Sequence, residues 1–413
     1  MKKVLIFYEG WGERWHLGTV AHNGQQLLFE YSAEAIRQQL ELSPHQLKLK
    51  TEAYGNFPAY MHYLPGLVND SLPDGWGILL MDKMFRKQGR NPATLSPLDR
   101  LMFVGNRGMG ALTFEPSDFN ELSVEDVLLM DLARESKALV NGLDSELLKR
   151  LALMGGSPHG ARPKVLVYYN PDTRVLSSDA LDGGTPWLVK FQAQNEHKDM
   201  CAVEHVYARL AQAAGLNMPQ TAHFDLDAGL AAFGVQRFDV EDGMRVPVHS
   251  LAGALHADFR ALGSVDYLTF LRLTRLMTRD ERFVREAYAR CVFNVLFNNR
   301  DDHSKNFSYR LNQQRHWELA PCYDLTFNEG PGGEHQMDVL GYGQRITRHH
   351  LIELAKKSSL DPSFAEGTLE RMLGVADRFN DVLFLSGMQD DIRPATLRRI
   401  QAVIKENAQA LGL

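Results

Sequence analysis

The sequence predicts an α+β protein built of three parts: a small α/β subdomain over residues 1–115, a strand-rich lobe over 116–258 and a mostly helical lobe over 259–413. Three observations predict this. Short apolar runs of strand length (VLIFYEG, WHLGTVAH, QQLLFEYS) open the chain, followed by a helical stretch near Trp76 to Lys87. The middle third alternates strands with one long helix. From about residue 259 apolar residues recur at helical spacing, in VDYLTFLRLTRLM, RFVREAYARCVFNVLFN, HHLIELAKKS, TLERMLGVADRFNDVLFLS and ATLRRIQAVIKENAQAL. Between the first two parts the acidic segment PSDFNELSVEDVLLMDLARES reads as a linking helix, with Ser123 as its cap.

Composition fits a cytoplasmic protein with ordinary cores. The chain has 413 residues, 44% of them hydrophobic, enough to bury two or three cores. A net charge of −6 advertises neither nucleic acid nor a membrane surface, so contact with DNA is expected only through a partner. The cysteines are Cys201, Cys291 and Cys322, with no CxxC spacing, which speaks for a reducing compartment and against structural zinc. The apolar run in MKKVLIFYEGWGE is too short for a signal peptide, and no stretch reaches membrane-spanning length.

The chemistry is concentrated in NVLFNNRDDHSKNFS, residues 294–308, and in CYDL at 322–325. In a phosphoryl-transfer loop, an aspartate that accepts a hydroxyl proton is followed after four residues by an asparagine on a metal ion. Asp301 and Asn306 have that spacing, although Asp-x-x-x-x-Asn by itself also describes many solvated turns. The flanks support the catalytic reading. A buried helix is expected from Arg282 to Phe297, delivering Asp301 from its end. FSYRL and HWELAP read as two strands around the Asn312-Gln313-Gln314 turn, running on to Asp324, where a magnesium ligand belongs.

A nucleotide site also needs a loop that covers phosphates and a lysine on a neighbouring strand. MGGSPHGARPKVLVYY, residues 154–169, sets Gly155, Gly156, Ser157, Gly160 and Ala161 before an apolar strand, so that backbone N–H groups can approach anionic oxygens. It is not a Walker A loop, because Ala161 rather than lysine follows Gly160, and a plain Gly/Pro turn would read the same. PWLVKFQ places Lys190 near a strand end, where it is either a phosphate lysine or a surface one. The helix beginning near Cys201 carries Glu204 in its first turn, a partner for Lys190 or a residue that serves the helix dipole. The core expected from these parts is bilobal and protein-kinase-like. The glycine-rich GPGGEHQMDVLGYGQR, residues 330–345, falls where a substrate-facing loop or a surface loop would lie.

Taken together these segments resemble the HipA family of serine/threonine kinases, the toxins of HipBA-type toxin–antitoxin systems. GARPK, LVK, EHVYARLAQAAGLNMP, VQRFD, NNRDDHSKNFS and LAPCYDL occur in the family's order, and GLVNDSLPDGWG and VGNRGMGALTF resemble its N-terminal subdomain. The resemblance implies ATP and magnesium as cofactors, with Asp301 as catalytic base, Asn306 and Asp324 as metal ligands and Lys190 on the phosphates, with His303 nearby. It implies a nucleotide-covering loop from His159 through Gly160, Ala161, Arg162 and Pro163 to Lys164. It further implies an adenine hinge at Gln236, Arg237 and Phe238, with Tyr323 beside it. The family commonly has glutamate where this chain has Gln236. Ser157 corresponds to the serine whose autophosphorylation expels the loop and silences these kinases, although the neighbouring Pro158 and His159 depart from the family's small apolar residues. Implied partners are a protein acceptor such as an aminoacyl-tRNA synthetase and a helix-turn-helix antitoxin, with DNA reached only through it. A small-molecule phosphotransferase would share the same carboxylates, and a pseudokinase acting through an antitoxin-like partner is a further alternative.

Overall fold

A computed structural model of the chain describes residues 2–117, 129–141, 148–155, 159–177, 180–193 and 195–412. The expected cap at Ser123, and Gly156 and Ser157 of the glycine-rich segment, lie outside the described residues.

Alternating buried and half-exposed positions in Lys3–Tyr8, Trp15–His22 and Leu27–Tyr31 form an antiparallel sheet, as period-two patterning requires when one face meets a core. Leu112–Glu115 closes its other edge, so the sheet order is Leu27–Tyr31, Trp15–His22, Lys3–Tyr8, Leu112–Glu115. Gly75–Lys87 follows as the expected helix, burying Trp76, Leu80, Met81, Met84 and Phe85.

The second sheet is antiparallel and five-stranded, ordered Val175–Ser177, Lys164–Asn170, Thr185–Phe191, Leu230–Gln236, Thr221–Asp227. Helix Asp199–Ala213 packs beside it with Cys201, Val203, Val206, Tyr207 and Leu210 buried. Because this helix begins at Asp199, Glu204 sits in its second turn rather than its first.

The third part is helical around Glu281–Leu296, whose residues from Ala287 to Leu296 are all buried, so it is a central helix with no solvent face at its C-terminal end. Tyr267–Thr278, Arg348–Lys357, Pro362–Asp377 and Pro394–Ala410 complete this part, and the run read as one helix through RFNDVLFLS breaks at Arg378 before Phe379–Ser386. The hairpin Ser308–Leu311 and Trp317–Leu319 forms as expected and is joined by Val248–Ser250 on the other edge. Its second strand stops at Leu319, so Asp324 stands in the following loop, in a left-handed conformation with φ 56°.

Buried polar contacts fasten the N-terminal subdomain to the rest. Asp70 accepts from the Ser250 N–H at 2.8 Å and from its hydroxyl at 2.6 Å, and pairs with His249 Nδ1 at 2.7 Å. His249 Nε2 meets Ser43 Oγ at 2.9 Å. The Ser–His–Asp order resembles a hydrolytic triad, but Ser43 and His249 are fully buried, so the group is a fastening no substrate reaches.

Candidate active site

Cross-strand neighbours in an antiparallel sheet present their side chains on the same face. Lys164 and Lys190 are such a pair, and both are buried. Two buried ammonium groups side by side need anions, which come from elsewhere in the chain. Lys190 Nζ donates to Glu204 Oε1 at 2.6 Å and to Asp324 Oδ1. Glu204 Oε2 in turn accepts from Arg162 Nη1 at 2.9 Å, and Arg162 also meets Glu196 Oε1 at 2.9 Å. Burial alone would push Lys190 down, but Asp324 and Glu204 more than offset it and hold the ammonium above the ordinary lysine range. Lys164 lacks so close a carboxylate. Burial, with Lys190 adding to it against the pull of Asp324, brings it down to about 8. Its Nζ donates to the His159 carbonyl, closing the loop 159–164 on itself.

Asp324 is the meeting point of the two halves. Burial would raise its carboxyl, but Lys190 and Lys164 hold it well below the usual range. The backbone just before it is fixed by buried Arg290, whose Nη2 donates to the Ala320 carbonyl at 2.7 Å.

The loop 300–306 leaves the central helix through Asn298, which adopts the left-handed conformation common for asparagine at helix ends. Asp301 is open to solvent at 42% of its side chain. Its carboxylate accepts from Gln336 Nε2 at 2.9 Å, while Asn306 Nδ2 donates to its backbone carbonyl at 2.7 Å. With its amide nitrogen engaged there, the Asn306 side chain has its oxygen as the atom that can accept or ligate. Its partial burial, partly countered by His303 and reinforced by Asp324 and Asp302, raises the Asp301 carboxyl above its ordinary range. His303 Nε2 lies 3.8 Å from Asp301 Oδ1, and its ring packs on Phe259 with centroids 5.3 Å apart.

The adjacent Asp302 has the opposite fate. It is fully buried and accepts from Tyr267 OH at 2.6 Å, from the Gln336 N–H at 2.8 Å, and pairs with His335 Nδ1 at 2.8 Å. It therefore anchors the loop, and the glycine-rich segment 330–345 lies against the site through Gln336. Sequence reasoning did not find Asp302, Tyr267, His335 or Gln336, because the spacing argument consults only Asp301 and Asn306.

At the segment expected to be the hinge, the Arg237 N–H donates to the Pro186 carbonyl at 2.9 Å. Its guanidinium forms a two-pronged pair with buried Asp239 at 2.9 and 2.8 Å, and Asp239 also accepts from Gly110 N–H of the N-terminal subdomain. Gln236 ends its strand and donates from its backbone to Gln220 at 2.9 Å. Phe238 and Tyr323 form an aromatic pair 5.6 Å apart, and the Tyr323 hydroxyl donates to the Lys305 carbonyl at 2.7 Å. Pro163 accepts the Phe191 N–H at 2.9 Å. The structure thus brings Lys190, Lys164, Asp324, Asp301, Asn306 and His303 together, whereas the Arg162 side chain is turned to the two glutamates.

The donor set suits a hard cation held jointly with phosphate oxygens: one carboxylate, Asp324, and one amide oxygen, Asn306. Among the described residues no group of three or more His, Cys, Asp or Glu side chains is placed to hold a metal by protein ligands alone. Gly160, with φ 103°, adopts a backbone that L side chains rarely take, and a Cβ there would collide with the Lys164 ammonium, so its lack of a side chain leaves room for that cation against the loop.

An antiparallel five-stranded lobe carrying a buried Lys–Glu pair, set against a helical lobe that presents Asp301, Asn306 and Asp324, defines a two-lobed α+β architecture of protein-kinase type. The family comparisons are specific. Residues 156–379 match the HipA-like C-terminal domain and residues 9–115 match the HipA N-terminal domain; the chain belongs to the HipA family. No curated protein is a significant match. Among solved structures it is similar to HipA in the HipA, HipB and operator DNA complex of Shewanella oneidensis MR-1, at 15% identity and TM-score 0.71, covering 98% of this chain and 97% of that one. A more partial likeness, at 9% identity and TM-score 0.39, is to the Helicobacter pylori proinflammatory kinase CtkA, over 61% of this chain and 89% of that one. Among the described residues no helix is long and apolar enough to cross a membrane.

Proposed function

We propose that this chain is an ATP- and magnesium-dependent serine/threonine-protein kinase of HipA type, a cytoplasmic toxin. The observation that carries the reading is the convergence on Asp324 of the Lys190–Glu204 pair from one lobe and the Asp301–Asn306 loop from the other. Asp324 and the Asn306 amide oxygen would hold magnesium, which would spread the charge of the nucleotide phosphates. Lys190 and Lys164 face those phosphates beneath the loop from His159 to Lys164. Gln236, Arg237 and Phe238 receive the adenine through their backbone, with Tyr323 alongside.

In the reaction the acceptor hydroxyl oxygen bonds to the γ-phosphorus, the bond from that phosphorus to the β–γ bridging oxygen breaks, and ADP leaves. The hydroxyl proton passes to Asp301, whose raised carboxyl suits that task while His303 stands beside it. The protein contributes position and fixed charge rather than a covalent intermediate.

The acceptor is a cytosolic protein of the aminoacyl-tRNA synthetase kind, and Ser157 is an autophosphorylation site. A helix-turn-helix antitoxin is the partner, by analogy with the HipB and operator DNA in the similar complex, and DNA is contacted only through it. The test is incubation with magnesium and γ-labelled ATP, alone and with cytosolic extract, with phosphosites mapped by mass spectrometry. Label on Ser157 and on one extract protein is the expected result; nucleotide binding with label on no protein would overturn it in favour of a small-molecule acceptor or a pseudokinase.

A further inference from the structure

The glycine-rich loop is not held by its own lobe alone. Asp74 of the N-terminal subdomain occupies the N-cap position of helix Gly75–Lys87, where an aspartate ordinarily accepts an N–H from the first helical turn. Its side chain makes no such bond. One carboxylate oxygen instead accepts the Gly160 N–H, and the other stands 3.7 Å from the Lys305 ammonium in the catalytic loop.

The neighbouring residues repeat the contact. The Trp76 N–H donates to the Gly160 carbonyl at 3.1 Å, and its indole Nε1 donates to the Lys164 carbonyl at 3.0 Å. Gly75 adopts φ +39°, and a Cβ there would come within 2.7 Å of Ala161 Cα and 2.8 Å of the Gly160 oxygen. The approach is therefore backbone against backbone, and only glycine permits it. Burial would raise the Asp74 carboxyl, but His159, Lys305 and the Gly160 N–H hold it below its usual range.

We propose that Asp74 is a positioning residue for nucleotide binding: its carboxylate fixes the Gly160 peptide and ties the nucleotide-covering loop, through Lys305, to the catalytic loop. This rests on the phosphotransfer reading above and adds to it a role for the N-terminal subdomain. The physical need is clear. A loop containing glycine has many conformations to lose on binding, and ordering it beforehand removes that cost from the binding step.

The experiment is full-chain kinetics over a range of MgATP, together with titration of a fluorescent ATP analogue in magnesium and a thermal melt, for wild type, Asp74→Ala, Asp74→Asn and Gly75→Ala. Losing a hydrogen bond to a charged acceptor predicts a rise in KM and analogue Kd of about tenfold or more in Asp74→Ala. Asp74→Asn, which keeps an acceptor oxygen without the charge, should rise less, and kcat should change less than KM in both. Gly75→Ala, with Asp74 intact but the loop pushed away, should reproduce the KM effect. Unchanged or tighter nucleotide binding in Asp74→Ala would overturn the proposal, and if that variant fails to fold, Asp74→Asn decides on the same criterion. Should wild type bind the analogue yet transfer no phosphate, the phosphotransfer reading falls while the affinity difference still judges Asp74.

Discussion

Asp324 and Asp301 are both carboxylates of one cleft, yet their surroundings push them in opposite directions. Asp324 faces Lys190 and Lys164 across the lobes and is held well below the ordinary carboxylate range. Asp301 is raised by partial burial and by the carboxylates of Asp324 and Asp302, which the histidine 3.8 Å away and the Gln336 amide do not offset. The difference teaches how one site can hold a permanent anion next to a carboxyl more ready to take a proton, by environment rather than residue type.

The largest expected effect comes from removing the permanent anion. Asp324→Ala leaves two buried lysines facing each other and takes away the carboxylate proposed for magnesium; phosphate transfer should fall on the order of 10³-fold, several kcal/mol of transition-state stabilisation. Labelled-phosphate rates in magnesium check this, and a near-normal rate would remove Asp324 from the chemistry. Next is Lys190→Met, which leaves Asp324 with Lys164 as its remaining lysine neighbour and Glu204 with Arg162. Breaking a buried pair from one side predicts a loss of about 3 kcal/mol, read by denaturant unfolding.

Smaller effects sharpen the other side of the comparison. Tyr267→Phe removes the hydroxyl donor to fully buried Asp302, so the catalytic loop should lose about 1–3 kcal/mol of support, visible as a lower Tm and faster amide exchange around 300–306. An unchanged melt would show that the remaining contacts to Asp302 suffice. The smallest effect is in pH dependence. Lys164 is brought down to about 8, so as pH rises through that value the free protein loses the cation proposed to face the phosphates, and kcat/KM for ATP should decline. Lys164→Arg stays charged, and its alkaline limb should move upward. At the acid end, the raised Asp301 places the ascending limb above the ordinary carboxylate range, and Gln336→Ala should move it higher still, because the Gln336 bond favours the ionised form.

What could be read from the sequence follows how local each feature is. The helix ending at Leu296, the Asp301–Asn306 spacing and the hairpin before Asp324 depend on neighbours within about a dozen residues, where periodicity and turn chemistry operate. The Lys190–Glu204 pair was also anticipated, though one turn too early, because Asp199 extends the helix at its start. Asp302 was hidden for the converse reason. Its partners Tyr267, His335 and Gln336 lie about 35 residues away on either side, and nothing in a loop of adjacent aspartates tells which one faces inward. Asp74 carried no signal in the sequence reading; it stands at the N-cap of Gly75–Lys87, and a loop 86 residues away takes its carboxylate.

The most direct test of the account is the rate of γ-phosphate transfer from MgATP by wild type and Asp301→Ala, compared at equal thermal stability and equal nucleotide affinity. The account predicts a loss of about 10²- to 10⁴-fold in the variant with binding retained. Equal rates in the two proteins would contradict it, since the proton of the acceptor hydroxyl would then have another destination.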